Sequence, residues 1–142
     1  MVVEGIKESF LATRKAVEIS GGMGFELHIV CPVLTTPRRP YPHSSGKERS
    51  RAILKQRKLV ALTLLEEHAR LIEEAGGEVA ASHYREGEPE DELVELGEVL
   101  DAGLIIVPEW TLEANGVWRL LTGSLSDALV RRAKSPVMVV RR

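Results

Sequence analysis

A doubly wound α/β domain with a mostly parallel sheet is the fold class this sequence predicts, on three observations. The apolar runs are short and continuous rather than alternating, as in Leu104-Ile105-Ile106-Val107 and Val137-Met138-Val139-Val140, which suits strands covered on both faces. Helical patterns separate these runs, each of at least the roughly ten residues that a crossover between parallel strands needs. Paired glycines at Gly21-Gly22 and Gly76-Gly77 punctuate the alternation where helices should stop.

Taken in order, Met1-Val2-Val3 is a very short apolar run, below the roughly five or six residues of an ordinary strand. It reads as a shortened first strand, or as what remains of one in a domain excised from a longer chain. Ile6, Phe10 and Val17 share a helical stripe while Lys7, Glu8, Arg14, Lys15 and Glu18 face water, predicting a helix over 7–20 that stops at Gly21-Gly22. A strand over 25–30 follows, with Pro32 expected to close it because proline cannot donate to a ladder. Pro37, Pro40 and Pro42 make 32–46 an exposed loop. The longest helical pattern covers 47–75, with Ile53, Val60, Leu64 and Leu71 on one stripe and Gly76-Gly77 as its stop. A weaker strand over 78–84 leads to a helix over 90–100, carried by Leu93, Leu96 and Leu100, with Gly97 inside it. The chain closes with a strand over 103–107, a helix opening at Gly123-Ser124 and running through Arg132, and a strand over 136–140.

With 142 residues, 44% hydrophobic and 28% charged, the chain is one soluble-type domain over 1–142. Its net charge of -2 gives no electrostatic reason to bind nucleic acid or an anionic membrane. No run approaches the roughly 18 apolar residues of a membrane span, and the lone Cys31 cannot form an internal disulfide. A cytoplasmic location is the expectation. The basic section at 38–58 and the acidic one at 86–113 read as two solvated surfaces.

In open parallel sheets a ligand sits beyond the carboxyl ends of the strands. Those ends are Glu4-Gly5, Cys31-Pro32, Pro108-Glu109 and the stretch leading to Gly123. Gly123-Ser124 opens a helix, where free N–H groups and the positive dipole end attract an anion. Ser124 with Asp127 equally fits a capping box that uses the same donors to finish the helix. Trp110 and Trp118 flank this region, either stacking on a base or packing the loop. His28, His43, His68 and His83 lack metal-ligand spacing, and no nucleophile is placed beside a base, so neither a metal site nor a catalytic residue is assembled. His28 and His68 read as makers of local hydrogen bonds.

The segment 87–96 beginning Gly87-Glu88-Pro89, the run Leu104-Ile105-Ile106-Val107, the block 123–133 and the closing strand with Arg141 together resemble the universal stress protein family. The resemblance extends along nearly the whole chain and is most specific in the C-terminal block. It implies a five-stranded sheet of order 3-2-1-4-5 flanked by four helices, of the adenine nucleotide alpha hydrolase-like kind. It also implies a homodimer pairing the last strand, Val137, Met138, Val139 and Val140, across a twofold axis, and ATP as a candidate ligand. The family's strand-end aspartate is matched by Glu4, one methylene longer. Its Gly-x-x-Gly, followed after nine residues by Gly-Ser or Gly-Thr, falls at Pro108 and Thr111 with eleven residues before Gly123, or at Trp110 and Glu113 when counted back from Gly123. Only Gly123, Ser124 and Ser126 match. Proline offers a phosphate no N–H, and Pro32 removes another donor on the adenine side. The implied site is therefore Glu4, Pro32, Pro108, Thr111, Gly123, Ser124 and Ser126, half of a phosphate cradle.

Two readings of function follow: a dimeric regulatory or ligand-sensing module with weak nucleotide or anion binding, and an interaction domain without a nucleotide, such as the cytoplasmic part of a transporter. Slow ATP hydrolysis is a third, for which Glu4 with Glu109 or Glu113 are the carboxylates at hand.

Overall fold

The computed structural model describes residues 1–3, 5–35, 45–109 and 125–141. Helix α1 (Ile6–Met23) is followed by β1 (Leu27–Val33), α2 (Ser45–Glu74), β2 (Val79–Glu86), α3 (Pro89–Val99), β3 (Ile105–Pro108), α4 (Leu125–Arg132) and β4 (Val137–Val140). Both strand pairs are parallel. β1 pairs β2 from Leu27 opposite Val79 to Val33 opposite Glu86, and β3 pairs β4 from Ile105 opposite Val137 to Pro108 opposite Val140.

Residues 1–3 join the two halves. Val2 N donates to Ile106 O at 2.8 Å on one side, while on the other Val3 N donates to Val30 O at 2.8 Å and Val30 N to Met1 O at 3.0 Å. The spatial order is β2, β1, residues 1–3, β3, β4, which is the predicted arrangement with one difference. The first of five expected strands is a bridge, Val2 to Val30, so the described residues hold four regular strands and a stub.

The alternation of side chains along the strands builds two apolar layers. Leu27, Ile29, Cys31 and Val33 pack with Ala12 and Ala16 of α1 and Ala61, Leu65 and Ile72 of α2 on one face. Val2, Val30, Ile105 and Val107 pack with Leu93 and Leu96 of α3 and Leu125 and Leu129 of α4 on the other. Burying both faces is why these strands read as unbroken apolar runs.

Of the two helix ends predicted from paired glycines, one agrees with expectation and one differs. α2 stops where predicted, with Gly76 at φ 82 and Gly77 N donating to Ile72 O at 2.8 Å. α1 instead runs through Gly21-Gly22 and ends at Gly24, whose φ of 68 carries the left-handed turn and whose N–H returns to Ser20 O. A glycine pair permits termination without imposing it, and the residue that adopts the left-handed conformation decides. Gly97 is tolerated inside α3 for a packing reason: a Cβ there would stand 3.2 Å from Ile105 Cδ1, so its absence lets the helix sit close on β3. The acidic face of α3 is met by cations on α4 and just beyond it. Arg132 reaches Glu90 at 3.5 Å and Asp91 at 2.5 Å, and Lys134 reaches Glu98 at 3.1 Å.

Candidate functional site at the carboxyl edge of the sheet

β1 and β3 flank the stub, and each carries a proline at its carboxyl end. The expectation that Pro32 closes β1 is corrected here: the strand runs on to Val33, with Pro32 opposite Arg85 of β2. In a parallel ladder the peptide groups of alternate residues face opposite neighbours. Val30 directs both its N–H and its C=O at the stub, so Pro32, two residues on, faces the stub as well. Its missing N–H leaves the β1–β2 ladder intact. Pro108 obeys the same parity, because Ile105 and Glu109 donate to Pro136 O and Val140 O of the β4 side at 2.9 Å each, while Ile106 O accepts from Val2. Both prolines thus omit donors that would go to the stub, to Val3 O from one side and Val2 O from the other. The ladder across the middle of the sheet ends there, which is a physical reason that the first strand is a bridge.

Immediately beyond, α1 opens at Gly5, which has extended backbone and no side-chain cap on the helix. The first N–H groups of an 18-residue helix therefore point at this edge with the positive end of the dipole. A buried network fixes the place where the helix begins. His68 of α2 is fully buried, with Nε2 3.3 Å from Gly5 O and Nδ1 3.0 Å from Thr13 Oγ1, and Thr13 Oγ1 lies 2.8 Å from Ser9 O. Gly5 O only accepts, so Nε2 carries a proton. Burial pushes His68 below the ordinary histidine pKa, against the opposing pull of the Gly5 carbonyl and of Glu67. This histidine was expected to bond locally, yet its partners lie 55 and 63 residues away in sequence. The available signal was a polar residue beside the apolar stripe of α2, which needs a partner wherever it is buried.

Of the predicted site residues, Pro32, Pro108 and Ser126 are described. Pro32 and Pro108 are brought to the same edge on the two strands that flank the stub, and Ser126 is the second residue of α4. Glu4, Thr111, Gly123 and Ser124 lie outside the described residues, as do Trp110, Glu113 and Trp118. Glu109, a candidate acid, donates its N–H to Val140 O and holds its carboxylate 3.5 Å from Arg141 Nε, so it is tied to the end of β4. A cavity of about 320 Å³ lies at the opposite, amino-terminal edge, between Met1, Ile19, Phe25, Leu96, Leu100 and Ile105. It is in line with the stub and remote from the carboxyl edge. Among the described residues no three potential ligands converge on a metal.

Parallel strands crossed by helices on both faces, with an open helix N-terminus at the carboxyl edge, define an α/β domain of the doubly wound class. The universal stress protein family profile matches residues 1–141, and the chain belongs to that family. It is similar to universal stress protein MJ0531 of Methanocaldococcus jannaschii, at 28% identity over 98% of this chain and 78% of the relative. Among solved structures, universal stress protein UspA from Lactobacillus plantarum superposes with a TM-score of 0.75 at 14% identity, over 99% of this chain and 94% of that one. A universal stress protein in complex with cAMP gives 0.65 at 22% identity, over 99% and 94%. The Archaeoglobus fulgidus protein in complex with dAMP gives 0.63 at 18%, over 97% and 92%. These likenesses establish the adenine nucleotide alpha hydrolase-like fold.

Proposed function

We propose that this protein is a cytoplasmic ligand-sensing module that binds an adenine nucleotide at the carboxyl edge of its sheet and acts as a homodimer. The observation that carries the reading is the start of α1: an uncapped helix N-terminus, fixed by His68, at the edge where the flanking strands end in prolines. Anion affinity follows from the helix end, and two relatives of the same fold were solved with cAMP and dAMP. The broken glycine pattern sets the strength. Pro108 takes the position of the phosphate loop's first glycine and restricts the backbone there, so binding is weak and monophosphates compete well with ATP. In this reading Gly123, Ser124 and Ser126 are the remaining candidate phosphate contacts, Glu4 holds the family's strand-end acid position, and ligand binding is transmitted through the segment that links β3 to α4. The half-buried edge strand β4 supplies the dimer contact.

Calorimetric titration of folded, nucleotide-free protein with AMP, cAMP and ATP tests the ligand. Millimolar-range binding with little preference for ATP is expected; absence of heat with all three removes the nucleotide. The absence of the family's paired glycines between Pro108 and Gly123 favours one alternative, an interaction domain without a nucleotide, and that null titration is its expected result.

A further inference from the structure

The amino-terminal half of the β1–β2 ladder holds a side-chain cluster unconnected with the nucleotide edge. Register places Val30 opposite His83 and His28 opposite Ala81, so His28 and His83 stand on neighbouring strands on the face covered by α3. Their nitrogens meet: His28 Nδ1 is 2.9 Å from His83 Nε2, with ring centroids 5.2 Å apart and planes inclined by 22°. On the far side of the His28 ring, Glu26 Oε2 lies 3.6 Å from Nε2. This carboxylate favours the tautomer with the proton on Nε2, which leaves the Nδ1 lone pair facing His83.

We propose that His28 Nδ1 and His83 Nε2 form a two-histidine chelate for a divalent d-block cation of the Cu²⁺ or Zn²⁺ type. An ion bound at about 2.0–2.1 Å to each nitrogen, with an angle between square and tetrahedral, needs the nitrogens about 2.9 to 3.4 Å apart. The pair stands at the lower end of that range. Tilting the rings turns the two lone pairs from one another onto a shared ion, and the proton between them moves to His83 Nδ1. Glu26 then occupies the position of a carboxylate that orients a ligating imidazole through its other nitrogen. His28 also borders the amino-terminal cavity, so water can complete the coordination. The charged groups around the pair are Glu26, Arg85 and the Met1 ammonium. Arg85 opposes a cation but lies 3.8 Å from Glu92 of α3, and burial lowers the Met1 ammonium pKa to about 5, so it is neutral at pH 7. No local pattern signals this site, because His28 and His83 lie 55 residues apart and share no motif spacing.

Titration of the tag-free protein with Cu²⁺, followed by calorimetry and by electron paramagnetic resonance, tests the site. The expected result is one Cu²⁺ per chain with two imidazole nitrogens in its spectrum. His28→Gln and His83→Gln each lose at least about tenfold in affinity, Glu26→Gln loses less, and His43→Gln leaves it unchanged. A spectrum with fewer than two imidazole nitrogens overturns the proposal even if the variants fail to fold. So does undiminished affinity in folded His28→Gln and His83→Gln, or no binding by the folded native chain.

Discussion

At the scale of single residues, His68 couples the start of α1 to α2, and its chemistry sets a pH dependence. Its folded-state pKa lies below the ordinary 6.5 because burial disfavours the charge, and burial lowers His83 in the same direction, reinforced by His28 and Arg85. The unfolded chain therefore binds protons first as the pH falls. The stability contributed by these two histidines is full above about pH 6.5 and declines below it until their folded-state values are passed. Urea denaturation at pH 7.5 and 5.5 should show the decline, and His68→Gln should make it smaller. At pH 7.5 the same substitution should cost about 1–3 kcal/mol, because Gly5 O and Thr13 lose a buried partner. An equal decline in the native chain and the variant would assign the pH dependence to other groups.

At the scale of elements, β4 is the informative case. Pro136 O and Val140 O accept from β3, so by parity Met138 also faces β3, while Val137 and Val139 turn their peptide groups to the open edge. A proline at position 139 removes a donor from that edge without touching the β3–β4 ladder, which edge strands tolerate. If the proposed dimer pairs β4 with its copy, Val139→Pro should convert dimer to monomer in light scattering with the far-ultraviolet circular dichroism retained. A dimer that survives the substitution uses another surface. The same parity explains why the end of β1 was misread from sequence. Proline was treated as a stop for the whole strand, whereas in a parallel sheet it is a stop only toward the neighbour its nitrogen faces.

For the whole molecule, the alternation of continuous apolar runs with helical stripes made the α/β class legible. Local glycine and proline signals located most boundaries to within a few residues. The contacts between distant segments were not legible: His68 with Gly5, and His28 with His83, arise from helix docking and strand register that no local pattern encodes. Of the candidate site, the position of Pro32 and Pro108 at the carboxyl edge was legible, while the meaning of both depended on which way their nitrogens face. That orientation has a mechanical consequence. Among the described residues, the two halves of the sheet are fastened along the stub by few backbone bonds, Val2 to Ile106, Val3 to Val30, Val30 to Met1 and Met1 to His28, and the prolines withhold two donors that would lengthen the fastening at the carboxyl edge. The molecule thus has a seam, along which it should open locally before it unfolds as a whole. Amide exchange reads this directly: Val30, bonded across the seam, should exchange faster than Ile29, bonded within the β1–β2 ladder, and equal protection would mean that the seam is as firm as the sheet on either side.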